Sequence, residues 1–290
     1  MLKRFVISAI AIVAFALFQA TDVASADQTA TAYGPAKGTL VIAGGGSLVG
    51  TGVLEKFIEL AGGRDKKFII VPTARGNRNI DGSVRVYEPM QNVGPWLNIG
   101  LKHVTMLHTH DPKIADTEEF NKNLKDADAV WFDGGRQWNL VDSYANTRTL
   151  EEFRKLLNRG GVIGGSSAGA TIQGEYLVRG DTSGPEVMMT MESNHQDGFK
   201  FLRRTAIDQH IDTRNRWDDL IPVVQKFPNM LGIGLSENTA IIVRGDTFEV
   251  IGKGQVAVHD NTRTYGVEEK PYFLLSPGEV YDMKAREIEK

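Results

Sequence analysis

The sequence contains no cysteine, and its 33 Lys+Arg residues are set against 36 Asp+Glu, a formal net charge of −3. The first absence excludes a disulfide framework, a thiolate zinc site, an iron–sulfur cluster and a cysteine nucleophile. The second excludes the basic surface that displaces counterions from phosphate, so no nucleic-acid partner is expected. Long apolar runs are scarce too. Only Phe5 to Phe18 approaches one, and it falls short of the ~20 residues a membrane-spanning helix needs. What is present is 41% hydrophobic and 24% charged over 290 residues, a balance that suits a globular chain with a sizeable core.

The apolar run reads instead as part of a secretory signal peptide over residues 1–26. Lys3 and Arg4 supply its positive start, and Ala24-Ser25-Ala26 its small-residue cleavage site before Asp27. A membrane anchor is the alternative, and the shortness of the run speaks against it. Cleavage after Ala26 places the mature chain in the periplasm or outside the cell, with no membrane attachment. Residues 27–38 are polar and small and read as a linker, and residues 39–290 as a single domain.

Within that domain, apolar runs of strand length alternate with segments of helical period. Thr39–Ala43, Phe68–Val71, His103–Leu107, Ala129–Phe132 and Val162–Ile163 are expected strands. Val53–Leu60, Val84–Leu97 and Leu150–Leu157 are expected helices. Strands that are apolar throughout need cover on both faces, which implies an α/β fold with a mostly parallel sheet between helices. Four later runs (Thr239–Val243, Phe248–Ile251, Gln255–Val258 and Tyr272–Leu275) suggest antiparallel hairpins that extend the same sheet.

The chemistry concentrates in a few motifs. Gly160 to Ala170 reads GGVIGGSSAGA: a strand enters Gly165-Ser166-Ser167-Ala168-Gly169, and the following residues suit a helix. This GxSxG in a strand-to-helix context matches a nucleophile elbow, with Ser167 as nucleophile and the next N–H as half an oxyanion hole. A Gly-rich turn at a helix start, with Ser166 or Ser167 as N-cap, would be the structural alternative. A serine needs a base, and His210 lies in the dense polar run DQHIDTRNR, where Arg214 and Arg216 would hold a substrate carboxylate and favour a neutral imidazole. Asp133-Gly134-Gly135 follows a strand and could supply the second oxyanion donor. His108, His110 and Asp111 form a weaker pattern, open to a divalent metal, and no metal or other cofactor is expected. Gly44-Gly45-Gly46-Ser47 resembles a phosphate-binding turn without a full nucleotide motif.

In that order, FDGGRQ (132–137), GGSSAGA (164–170), DQHIDTRNR (208–216) and GIGLSENTA (232–240) resemble the cyanophycinase branch of the S51 serine peptidases. That family also contains the dipeptidase E aspartyl dipeptidases. The resemblance implies a flavodoxin-like three-layer sandwich akin to class I glutamine amidotransferases, with serine in place of their cysteine. It assigns Ser167 as nucleophile, His210 as base, and the Gly135 and Ala168 N–H groups as oxyanion hole. It places Gln137, Asp208, Gln209, Arg214 and Arg216 around the pocket for an aspartyl unit, and Glu237 where a substrate amino or guanidinium group would meet it. For the acid that orients His210 it offers Glu186 and, in the same loop, Asp181, with Glu186 favoured.

Two departures bear on specificity. Cyanophycinases carry a further arginine shortly after RNR, where this chain has Trp217-Asp218-Asp219, an acidic pair suited to a cationic group. Ser236 replaces the usual aspartate of the GIDE segment. The expected function is an exported serine peptidase that hydrolyses aspartyl or β-aspartyl bonds, with cyanophycin as first candidate substrate and β-Asp-Arg dipeptides as products. An exported Asp-x or isoaspartyl dipeptidase and a non-catalytic binder of acidic peptides are the alternatives. The sequence leaves homodimerisation open.

Overall fold

The computed structural model describes residues 31–289, so the expected signal peptide and its cleavage site lie outside the described residues. The first five strands are β1 (Thr39–Ala43), β2 (Lys67–Val71), β3 (His103–Met106), β4 (Ala129–Phe132) and β5 (Val162–Ser166). They pair in parallel in the order β1-β5-β4-β2-β3. Between them run α1 (Val53–Leu60), α2 (Pro89–Asn98), α3 (Pro112–Ala115), α4 (Glu118–Asn121), α5 (Gln137–Tyr144) and α6 (Arg148–Asn158).

Alternate strand residues face opposite sides, and each side is covered. Leu40, Ile42, Ile69, Val71, Val130 and Phe132 pack with Leu140, Tyr144, Phe153 and Leu156 of α5 and α6. Val41, Phe68, Ile70 and Trp131 pack on the other face with Val53, Phe57 and Ile58 of α1 and Trp96 of α2. Two-sided burial is why β1, β2, β4 and β5 lack polar alternation, which the edge strand β3 shows. On the second face Phe57, Trp96 and Trp131 meet edge to face with centroids 5.0–6.0 Å apart. Truncating one such ring to alanine costs about 3–5 kcal/mol in a core of this kind.

Helix α2 starts later than its apolar period suggests. Pro89 occupies its first turn, and Glu88 before it is extended (φ −74°, ψ 121°), as a residue preceding proline prefers. The helix after the elbow is also shorter than expected: α7 spans only Ala168–Thr171, and Tyr176 beyond it already bridges to Asp197 and Ala206.

The later elements are β6 (Thr205–Gln209), α8 (Ile221–Lys226), β7 (Leu231–Leu235), β8 (Thr239–Arg244), β9 (Thr247–Gly252), β10 (Val256–Asp260), β11 (Phe273–Leu275), β12 (Val280–Asp282) and β13 (Glu287–Ile288). Strand β8 joins β1 antiparallel, and β9, β12 and β13 continue outward to a nine-stranded sheet. Here the structure departs from one mostly parallel sheet. β10 and β11 do not extend it; they join β7 and β6 in a second, four-stranded sheet, and both sheets are mixed. Burial explains the split. Every residue of β10 is buried, as in the interior of a sheet, whereas β9 alternates between buried and half-buried positions and has one open face.

Part of the expected linker is docked. Tyr33 is buried in the first core, its N–H donates to Asp246 Oδ1 at 2.8 Å, and the Gly34 N–H donates to the Gly245 carbonyl at 2.9 Å. Residues 31–289 thus fall within one compact unit.

Candidate active site

Three consecutive strand ends converge. Ser167 follows β5 at φ 57°, ψ −117°, a backbone state that costs an L-residue on the order of 1–3 kcal/mol and recurs at functional turns. The turn is tight enough that a Cβ at Gly169 would lie 2.1 Å from the Phe132 carbonyl oxygen. His210 follows β6, and Glu237 lies two residues beyond β7. His210 Nε2 is 2.9 Å from Ser167 Oγ, and His210 Nδ1 is 2.5 Å from Glu237 Oε1. An ionised carboxylate only accepts, so Nδ1 holds the imidazole proton and Nε2 is left to accept from the serine hydroxyl. Burial holds the His210 pKa below its usual 6.5. Arg214 and Arg216 act in the same direction, while the Glu237 hydrogen bond opposes them.

The acid beside His210 is therefore Glu237, and this corrects the expectation of Glu186 or Asp181. Strands β6 and β7 are parallel neighbours with Gln209 opposite Leu235, so the residues just past their ends meet. Glu237 is fixed further by its own N–H donating to Asp212 Oδ1 at 2.9 Å and by Thr213 Oγ1 donating to its Oε1 at 3.1 Å. Asp181 instead accepts from the Ser183 N–H at 2.9 Å and from Thr190 Oγ1 at 2.7 Å. Glu186 is exposed.

The triple glycine after β1 braces this constellation. Three successive carbonyls, of Ala43, Gly44 and Gly45, accept from the N–H groups of Ser167 (3.1 Å), His210 (3.0 Å) and Asn238 (2.9 Å). The His210 ring lies so close to the turn that a Cβ at Gly45, whose φ is +119°, would fall 2.2 Å from its Cε1. The sequence pattern suggested a phosphate turn. Its glycines are spent on bringing the β1 backbone against the histidine.

A cleft of about 440 Å³ opens beside Ser167, lined by Arg75, Arg136, Arg179, Arg214 and Arg216 together with Gly135, Gln137 and Gln209. Among the described residues, the N–H groups of Gly135 and Ala168 donate to no protein acceptor. Arg216 Nη1 and Gln209 Oε1 are buried without partners. Gln137 Nε2 is committed to the Val178 carbonyl at 2.8 Å, and Asp208, fully buried, is held by Arg179 at 2.9 and 3.1 Å. Asp133, just before Gly134-Gly135, pairs with Arg75 Nη2 at 2.5 Å; burial pushes its pKa up to about 6 against the pull of that arginine. A larger cavity of about 690 Å³ contains neither Ser167 nor His210, so size alone would point away from the chemistry.

The remaining motifs are built into the framework. His108 Nδ1 lies 2.9 Å from Thr73 Oγ1, and its ring stacks on Tyr87 at 3.6 Å. His110 meets His108 edge to face, and Asp111 caps α3 by accepting from the Lys113 N–H. The acidic pair after RNR is also engaged: Asp218 with Lys270 at 2.9 Å and Asp219 with Arg179. The cation suited to Asp219 comes from this chain and not from a substrate.

A mixed α/β fold whose two sheets bring a Ser–His pair together at their strand ends, beside a cationic cleft, defines a hydrolase of the serine-peptidase type. The chain belongs to peptidase family S51, whose family model matches residues 40–251. Among curated relatives, it is 30% identical over 224 residues to the cyanophycinase of Geminocystis herdmanii, covering 76% of this chain and 79% of the relative. It is 28% identical over 251 residues to that of Trichormus variabilis, covering 84% and 80%. Among solved structures, a peptidase from an acI-B1 Actinobacterium superposes with a TM-score of 0.62 at 22% identity, over 86% of this chain and 98% of the other. This last likeness concerns the fold.

Proposed function

We propose that this serine peptidase cleaves the amide bond on the carbonyl side of an aspartyl or β-aspartyl unit and that its substrate is cyanophycin, released as β-Asp-Arg dipeptides. The observation that carries the reading is the relay Ser167–His210–Glu237, at 2.9 and 2.5 Å, opening into a cleft lined by five arginines. His210 takes the Ser167 proton as Oγ attacks the carbonyl carbon, and Glu237 stabilises the imidazolium that forms. The free N–H groups of Gly135 and Ala168 meet the oxyanion. The C–N bond then breaks, His210 gives its proton to the leaving amine, and the same histidine deprotonates the water that releases the acyl group. Arg214 and the unpartnered Nη1 of Arg216 receive the unit's free carboxylate, which in cyanophycin is that of the arginine amide-bonded to the aspartyl side chain.

The curated relatives named above are cyanophycinases, which supports the substrate over a simple Asp-x dipeptide. The reading includes export, on the strength of residues 1–26. Mass spectrometry of soluble products from insoluble cyanophycin, beside a panel of Asp-x and isoaspartyl dipeptides, tests it. The expected products are β-Asp-Arg dipeptides from a chain whose mature N-terminus is Asp27, and Ser167→Ala should lower turnover by ~10³-fold or more. Hydrolysis of none of these substrates by the wild type, or equal hydrolysis by Ser167→Ala, overturns it.

A further inference from the structure

Arg216 presents a puzzle of charge. It is 6% exposed, its Nη1 has no hydrogen-bond partner, and an ionisable carboxyl, Asp208, lies 3.9 Å away. An adjacent buried carboxylate would ordinarily close on such a guanidinium and cancel it. Asp208 does not, because both its oxygens are occupied elsewhere. Arg179 Nε donates to Oδ1 at 2.9 Å and Nη2 to Oδ2 at 3.1 Å, a bidentate fork. Arg179 is itself clamped: Nη2 also donates to Asp219, and Nη1 donates to the Pro185 carbonyl at 2.5 Å. Of its five N–H donors only one remains. The residue is 2% exposed and sits at φ +55°, a left-handed backbone that a bulky side chain adopts only when its surroundings over-determine it.

We infer that Arg179 is a positioning residue for substrate recognition: by taking both oxygens of Asp208, with Asp219 as its second anchor, it keeps the Arg216 guanidinium free for the substrate carboxylate. Asp219 therefore belongs to the recognition of an anion, one step removed, although it is an acid beside an anion pocket. The inference rests on the serine-peptidase reading of Ser167, since it assigns what reaches the cleft beside that serine. Arg179 acts through Asp208 and Arg216, so its loss should spare the chemistry at Ser167 and weaken the selection of a carboxylate.

The test uses two serine-reactive phosphonates whose aspartyl side chain is amide-bonded to arginine in one and to agmatine, which lacks the arginine carboxylate, in the other, and measures the rates at which each labels Ser167 in the full chain. Wild type should label faster with the arginine probe. Arg179→Ala releases Asp208 to pair with Arg216, and the arginine-over-agmatine ratio should fall ~10-fold or more. In an Asp208→Asn background there is no carboxylate to release, so adding Arg179→Ala should change the ratio by less than about threefold; that double variant removes the buried Arg179–Asp208 pair whole and does not leave one of its two members behind alone. Arg179→Lys keeps the charge but cannot span both oxygens, and should give an intermediate ratio. An equal loss of the ratio in both backgrounds, or no loss in Arg179→Ala or Arg179→Lys, overturns the inference. Failure of both probes to label Ser167 in wild type instead overturns the serine-peptidase reading on which it rests.

Discussion

At the scale of single residues, the orientation of His210 hangs on one carboxylate. Glu237→Gln keeps an oxygen within reach of Nδ1 but removes the charge that stabilises the imidazolium, and the amide can also present its NH2 and favour the wrong tautomer. The expected outcome is a fall in kcat of ~10²–10⁴-fold with little change in thermal stability, measured on cyanophycin. A variant within threefold of wild type would remove Glu237 from the relay. Only neutral His210 accepts the serine proton, and its pKa lies below 6.5, chiefly through burial. The profile of kcat/KM against pH should therefore rise through a midpoint below 6.5, and a midpoint above 7 would argue against this assignment.

Ser167 stood out in the sequence because the tight turn after β5 dictates the residue types around it, and the structure brings it 2.9 Å from His210, which the polar run at the end of β6 singled out. Glu237 was visible as a pocket residue but not as the partner of His210. That relation depends on the parallel pairing of β6 with β7, which brings residues 27 apart together and leaves no local trace. Arg179 was missed altogether. It is one arginine in an unremarkable stretch, and its only signal was the acidic Asp219, whose natural reading was a site for a foreign cation.

At the scale of elements, the segment after the elbow carries Arg179 and Pro185 to the cleft, and a histidine ties that segment down. His195, 3% exposed, lies between Glu192 Oε2 on Nδ1 at 2.6 Å and Asp142 Oδ1 of α5 on Nε2 at 2.7 Å. Asn194 also approaches Nε2 at 3.3 Å, and Glu192 binds back to Thr182 Oγ1 at 2.6 Å. Burial alone would lower the His195 pKa, but its hydrogen bonds to Asp142 and Glu192 outweigh that and raise it above 6.5. A raised histidine pKa means that the tether contributes fully below ~6.5 and is lost as pH rises through the folded-state value. Hydrogen exchange in residues 179–196 should consequently be slower at pH 6 than at pH 9 relative to the core strands, and His195→Gln should abolish the difference. Equal relative protection at the two pH values would show that His195 does not hold the segment.

The same scale shows what apolar pattern can and cannot tell. β1, β2, β4 and β5 were readable because two-sided burial writes a nearly uninterrupted apolar run, whereas β3 is an edge strand that alternates exposed His103 and Thr105 with half-buried Val104 and Met106. Which sheet a later strand joins is a matter of partners: β9 and β10 are both short and β-prone, yet one extends the large sheet and the other crosses to β7. Alternation in FEVI against continuous burial over VAVHD is the only trace of that difference, and it is faint in segments this short.

At the scale of the whole molecule, charge is distributed against the average. The chain carries a formal −3, yet five arginines face one cleft of about 440 Å³, and Asp208, Asp219 and Asp133 are each paired with an arginine there. Low-dielectric walls around such a cluster focus its field outward, which draws a carboxylate in. Beyond a Debye length, about 8 Å at physiological ionic strength and about 3 Å at 1 M, that attraction is screened, whereas the buried contact with Arg216 is screened much less. Salt should therefore act mainly on capture. For a soluble aspartyl peptide, raising NaCl from 0.05 to 1 M is expected to lower kcat/KM by ~3–10-fold with kcat nearly constant, and an asparaginyl counterpart should respond by less than twofold. An equal salt response of the two peptides would mean that the arginine cluster serves to hold the cleft together and does not reach the substrate through its field.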